Sequence, residues 1–90
     1  MKYHTFALGR TVSTANALRT LHMEDVLLAL ARHSGCDWGD VCDEDKKSND
    51  WSLANGERLL SAYKDRNGMK FWIITERDRS VTTVLLPEDY

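Results

Sequence analysis

The stretch ERLLSAYKDRNGMKFWIITERDRSVTTVLLPEDY, from Glu57 to Tyr90, decides the fold of this chain. It holds runs rich in β-branched and aromatic residues, which are typical of strands, at 58–64, 69–76 and 80–86. A tight turn containing Asn67-Gly68 separates the first two runs, because both residues tolerate positive φ. A polar turn separates the last two. The stretch therefore predicts a three-stranded antiparallel meander.

Two helices are predicted before the meander. Ser13 or Thr14 offers a hydroxyl N-cap for a short helix over 15–21. The run 22–33 is apolar at three- and four-residue spacing and is followed by Gly35, a common helix stop. Its apolar positions are Met23, Val26, Leu27, Leu28, Leu30 and Ala31. We expect this second helix to supply the main apolar face that packs on the sheet.

A third helix is predicted over 43–55, with Asp43 as its N-cap and Gly56 as its stop. Trp38 is expected to anchor the preceding loop at the edge of the core. Residues 2–8 alternate weakly and are predicted as a short strand or an extended arm. The predicted fold class is α+β, with two to three short helices on the meander, and the N-terminal strand as an optional addition. We expect one domain over 1–90.

Composition and charge narrow the classes of function. The 90 residues are 42% apolar and 29% charged, with a net charge of −2 and no basic stripe, so nucleic acid is not an expected partner. No apolar run approaches the roughly 18 residues that span a bilayer, and the N-terminus lacks the pattern of a signal peptide. We therefore expect a cytoplasmic protein without a membrane partner. The acidic segment 37–50 is either a solvated loop and helix start or a surface for a basic partner.

The only metal-like spacing is His33, Cys36 and Cys42. Zinc takes about four ligands, usually in paired short spacings, and no second cluster follows this one. We expect ordinary small thiols here, and neither a metal nor another cofactor.

The strand sequences predict a sheet that is apolar on both of its faces. In the second strand, apolar side chains such as Phe71 and Ile73 alternate with Trp72 and Ile74, so both faces of the sheet are substantially apolar. Two interpretations stay open: a partner covers the second face, or the N-terminal segment and the third helix cover it. Under the first, the partner-binding residues are Tyr63, Trp72 and Ile74, because aromatic side chains concentrate binding energy at interfaces.

A toxin-like ribonuclease is the alternative function, by analogy with barnase-, colicin- and RelE-type nucleases, which place helices before an antiparallel sheet. RNA cleavage needs a base, an acid and a cation for the developing phosphorane charge. The candidates are His33 or His4 as base, Glu76 as acid, Arg77 or Arg79 as cation, and Thr82 or Tyr63 as a helping hydroxyl.

The string WIITERDRSVTTVLLPEDY at 72–90, with ARH at 31–33, DWGD at 37–40 and RLLSAY at 58–63, carries a resemblance. It resembles a family of short proteins that are encoded on bacterial plasmids and integrative elements and labelled "plasmid-related". The family pattern places Gly directly before Asp-Trp-Gly, where this chain has Cys36. The resemblance implies an accessory protein of a mobile element and implies no catalytic residues.

These observations together predict a non-catalytic accessory protein that acts by protein binding or self-association. Its expected partner is a second copy of the chain, as a homodimer, or a host or plasmid protein.

Overall fold

A computed structural model of the chain describes residues 5–90. In chain order the elements are β1 (Arg10–Ser13), α1 (Ala15–Thr20), α2 (Met23–Ser34), α3 (Asp43–Asn55), β2 (Leu59–Lys64), β3 (Lys70–Thr75), β4 (Val81–Leu85) and a 3-10 turn (Pro87–Asp89). The four strands form one mixed sheet in the order β1-β4-β3-β2. The fold is therefore α+β, with a fourth strand added to the predicted meander.

Strands β2, β3 and β4 pair antiparallel, as the sequence predicts. The hairpin between β2 and β3 is held by the buried carboxylate of Asp65, which accepts hydrogen bonds from the backbone N–H groups of Asn67 (2.9 Å) and Met69 (3.1 Å). Gly68 completes the turn with φ +78°. This turn sets the register in which Tyr63 lies opposite Phe71.

The N-terminal strand lies later in the chain than predicted, and it pairs parallel with β4. Thr5–Leu8 form no strand, and the other residues of the predicted segment 2–8 lie outside the described residues. Gly9 explains the shift. It has φ +64°, and a Cβ at this position would overlap the backbone carbonyls of Arg79 and Ser80. The chain thus enters the sheet only after this close approach.

Helices α1 and α2 pack on one face of the sheet. Thr14 caps α1, since its Oγ1 accepts a hydrogen bond from the N–H of Ala17 (3.1 Å), which confirms one of the two predicted caps. The core residues of this face are Ala17, Leu21, Val26, Ala29, Tyr63, Phe71, Ile73, Val84 and Leu86. On the other face Ile74 and Leu85 are also buried.

Helix α2 forms where it is predicted, but its apolar residues do not all face the sheet. Val26, Ala29 and His33 are buried against it. Other predicted core positions point to solvent instead, namely Met23, Leu27, Leu28 and Ala31. The run from 26 to 31 is apolar on every side, so one helix face packs on the sheet and the opposite face stays apolar and exposed.

Helix α3 covers the edge of β2. Its buried Asn49 donates through Nδ2 to the carbonyl of Leu60 (2.7 Å) and accepts through Oδ1 from the N–H of Leu60 (3.1 Å). The N-cap of α3 is Cys42, not Asp43 as predicted; Asp43 lies in the first turn, where its charge favours the helix dipole. Gly56 ends the helix with φ +68°, as expected.

Candidate protein-binding surface

The predicted partner-binding residues do not form a shared open surface. Tyr63 and Ile74 are buried, and Trp72 is half-buried with its ring 5.6 Å from that of Tyr90. The hydroxyl of Tyr63 donates to the carbonyl of Asp37 (2.5 Å), and burial raises the pKa of Tyr63 to about 12. These aromatic side chains are therefore part of the monomer's own packing.

His33 lies at the centre of a buried chain of hydroxyl groups. Its Nδ1 is 2.5 Å from Ser61 Oγ and its Nε2 is 2.9 Å from Thr75 Oγ1. Thr75 Oγ1 is in turn 2.7 Å from Thr82 Oγ1, which donates to the carbonyl of Leu8 (2.6 Å). Phe6 and Trp38 pack around the imidazole, with ring centroids 5.1 and 5.8 Å away.

The donor and acceptor of each hydrogen bond in this row of side chains follow from the bond at its end, between Thr82 and the carbonyl of Leu8. Each hydroxyl carries one proton, and that of Thr82 goes to a carbonyl, so Thr75 must donate to Thr82. Thr75 then accepts from Nε2–H of His33, and Nδ1 accepts from the hydroxyl of Ser61. Burial, with the nearby charge of Arg79 as a smaller cause, lowers the pKa of His33 to about 4. The imidazole is neutral at pH 7.

This arrangement does not provide a site for substrate. Ser61 and His33 have the contacts of a nucleophile and its base, but neither side chain has any exposed surface. Thr82 is equally buried. Among the other ribonuclease candidates, Arg77 is exposed beside Glu57 (3.6 Å), and Glu76 is half-buried. The structure brings His33 and Thr82 into one network but does not open them to RNA. His4 lies outside the described residues.

Arg79 bridges separate backbone segments through hydrogen bonds to their carbonyl groups. Its Nη1 donates to the carbonyls of Glu57 (2.6 Å) and Glu76 (3.1 Å), and its Nη2 donates to the carbonyl of Ser52 (3.3 Å). The guanidinium thus joins the end of α3 to the turn between β3 and β4. Both of its terminal nitrogens donate to backbone carbonyls, which gives this side chain a structural role in the fold.

The three residues with metal-like spacing, His33, Cys36 and Cys42, do not form a metal site in this structure. Both ring nitrogens of His33 bond to hydroxyl groups, and Cys42 is exposed. Burial raises the pKa of the Cys36 thiol. Within residues 5–90, no group of three or more His, Cys, Asp or Glu side chains is placed to hold a metal ion. In the same range, no helix has the length and apolar character needed to cross a membrane.

Four of the exposed large apolar side chains lie on α1 and α2. We call this group the apolar surface, and it consists of Leu18 (59% exposed), Met23 (49%), Leu27 (58%) and Leu28 (66%). Leu18, Met23 and Leu27 line a groove of about 180 Å³ that β1 closes on one side. Scattered exposed leucines are ordinary, but three exposed apolar side chains around one groove between two helices indicate an interaction site.

Beside the groove, β1 is the last strand of the sheet, and no strand within residues 5–90 pairs with its outer side. The N–H groups of Arg10 and Thr14 donate to β4 and its flank, at the carbonyls of Ser80 (2.9 Å) and Val84 (3.0 Å). Because successive residues of a strand point in opposite directions, the backbone groups of Thr11 and Ser13 face away from the sheet. The groove and this edge therefore lie side by side on the same part of the molecule.

The sequence held a signal for this surface that the expectation of a single apolar face on α2 left unused. Six successive apolar residues, VLLALA at 26–31, cannot share one face of a helix. Exposure of Leu27 and Leu28 follows once Val26 and Ala29 take the sheet side.

Comparison with family models, with curated proteins and with solved structures found no match for this chain. The resemblance to plasmid-related proteins stays a prediction from the sequence, and the function is inferred from the geometry of the apolar surface and of the buried network.

Proposed function

We propose that this protein acts without catalysis, by self-association through the apolar surface of α1 and α2. The observation that carries the proposal is the exposure of Leu18, Met23 and Leu27 around one groove, with Leu28 exposed next to Leu27 on the same helix. Full burial of such a side chain contributes roughly 1.5–3 kcal/mol, and these side chains are 49–66% exposed, so covering each of them contributes about half of that. Two copies together supply several such contributions against the entropy of association.

A non-catalytic role is supported by the burial and hydrogen bonding of the side chains proposed for ribonuclease activity. The histidine and threonine of the ribonuclease hypothesis are buried, and Arg79 is bonded to backbone carbonyls. We accordingly favour association over RNA cleavage. The role in mobile-element biology rests on the sequence resemblance alone, and the cytoplasmic location rests on the sequence pattern of the N-terminus and the apolar runs.

The proposal is tested by light scattering over a concentration series, from the micromolar to the millimolar range. The chain mass is 10.3 kDa, and we expect the measured mass to rise toward twice this value. Leu27→Asp should keep the protein monomeric, since it places a charge in the covered surface. The matched control is Trp51→Gln, which removes an isolated exposed apolar side chain (60%) on α3 and should leave the mass unchanged.

A wild-type protein that stays monomeric at millimolar concentration would overturn the proposal. Labelled RNA incubated with the same samples should remain intact. Cleavage that is lost in a folded variant lacking Arg77 would favour the ribonuclease alternative instead.

A further inference from the structure

The exposed face of α2 has two ridges of side chains spaced four residues apart. One ridge is Met23, Leu27 and Ala31, and the other is Glu24, Leu28 and Arg32. All of these side chains are exposed. Rows with this spacing form the ridges that pack into grooves when two helices cross, which is the commonest arrangement of helices in globular proteins. Every α-helix has such rows; on this face they carry exposed apolar side chains that a second helix could contact.

The second ridge is charged in opposite senses at its two ends. Glu24 lies one turn before Leu28 and Arg32 lies one turn after it, each about 6 Å along the helix axis. A two-fold axis through Leu28 reverses the ridge. Glu24 of one copy then meets Arg32 of the other, and the reverse contact forms at the same time. This pattern of charge is self-complementary.

We propose that two copies of this chain associate through α2, with the helices antiparallel and a two-fold axis at Leu28. The inference rests on the proposed self-association and specifies its interface. The ridge of Met23, Leu27 and Ala31 adds apolar contact beside the axis. Two Glu24–Arg32 pairs flank it.

Arg32 packs its guanidinium over the ring of Tyr63, with Cζ 4.8 Å from the ring centroid, and within residues 5–90 its Nη1 makes no hydrogen bond. Its Nε and Nη2 donate to Asp37 (2.8 and 3.2 Å), and this pair is half-exposed. Nη1 of the same guanidinium can donate to a carboxylate from another copy. Glu24 is 77% exposed and only 3.8 Å from Arg66 at its nearest, which is a weak contact.

The experiment uses two single variants, Glu24→Arg and Arg32→Glu. Each alone brings like charges together at both flanks, so each should weaken the homodimer by about tenfold or more, which corresponds to about 1.4 kcal/mol. When the two variants are mixed, each flank again pairs opposite charges. We expect the mixture to recover a heterodimer with a dissociation constant within about threefold of the wild type.

Sedimentation equilibrium on each variant and on the mixture measures this outcome, with circular dichroism to verify folding. Asp37→Asn is the matched control, since it breaks the pair within one chain and should retain the dimer. Variants that dimerise like the wild type, or that fail to recombine on mixing, would overturn the α2 interface while the self-association of the wild type still stands. A monomeric wild type would overturn both. If Arg32→Glu does not fold, Glu24→Arg still tests the interface, because a folded Glu24→Arg that dimerises like the wild type would overturn it.

Discussion

At the scale of single residues, the backbone shows where this sequence is strained. Cys36 has φ +66°, in the left-handed region that L-residues other than glycine adopt at a cost of roughly 1–2 kcal/mol. This is the position at which the resemblance to plasmid-related proteins predicts glycine. Gly39 lies three residues later with φ +73°, and there a Cβ would overlap the carbonyl of Ala62. The turn therefore needs glycine at one position and favours it at another.

Replacing Cys36 tests this strain. Cys36→Gly and Cys36→Ala both remove the thiol, so the difference between them isolates the backbone. We expect Cys36→Gly to be more stable than Cys36→Ala by about 1 kcal/mol, because glycine adopts positive φ without steric cost. Urea unfolding of both variants measures the difference. Equal stability would show that the turn is not held in the left-handed region.

At the scale of elements, the two edges of the sheet differ in whether other parts of the chain bond to their backbone groups. The edge of β2 is covered: Asn49 bonds both backbone groups of Leu60, and the loop before α3 bonds those of Ala62 through the carbonyl of Trp38 (3.2 Å) and the N–H of Asp40 (2.7 Å). The side-chain amide of Asn49 thus takes the place of a neighbouring strand. Exposed edges invite pairing with other chains, and this cover prevents it on one side.

Asn49→Ala should destabilise the protein by about 2 kcal/mol, since it leaves two backbone groups of Leu60 without protein partners. Asn55→Ala is the matched control in the same helix. Asn55 is exposed and bonds only the carbonyl of Trp51 (2.8 Å), so its loss should change stability by less than about 0.5 kcal/mol. Thermal unfolding of both variants compares them. Similar losses for the two would contradict the assigned role of Asn49.

The elements that the sequence predicts well are those with local signals. The Asn67-Gly68 turn and the alternation of β3 specify the meander, and Gly35 and Gly56 mark the ends of α2 and α3. Strand β1 could not be predicted in the same way, because its pairing with β4 depends on the contact of Gly9 with a turn about 70 residues later. The apolar surface was missed because periodicity shows that α2 is apolar but not which of its faces the sheet covers.

At the scale of the whole molecule, stability depends on keeping one buried imidazole neutral. The folded protein holds the pKa of His33 near 4, against an ordinary value of 6.5, so the unfolded chain binds this proton more tightly. The stabilisation is complete above pH 6.5 and is lost as the pH falls toward 4. The lowered pKa of Asp25, about 2 because Arg66 hydrogen bonds to it, acts at more acidic pH.

We therefore expect the free energy of unfolding to fall by up to about 1.4 kcal/mol per pH unit between pH 6.5 and 4, or roughly 3 kcal/mol in all. Urea unfolding at a series of pH values measures the slope. His33→Gln should flatten the slope, whatever its effect on stability at pH 7. An NMR titration of wild-type His33 measures its pKa directly. A pKa near 6.5 would contradict the buried network.

The cover over β2 also limits how copies can join. Strand addition at β1 exposes no new template, because the far side of each sheet is already sealed by Asn49 and the loop before α3. A sheet with two open edges could propagate into a fibre by strand pairing. A sheet with one open edge stops pairing in this way once two copies have joined. Asn49 thus helps to keep pairing between sheet edges finite, whatever association α2 provides.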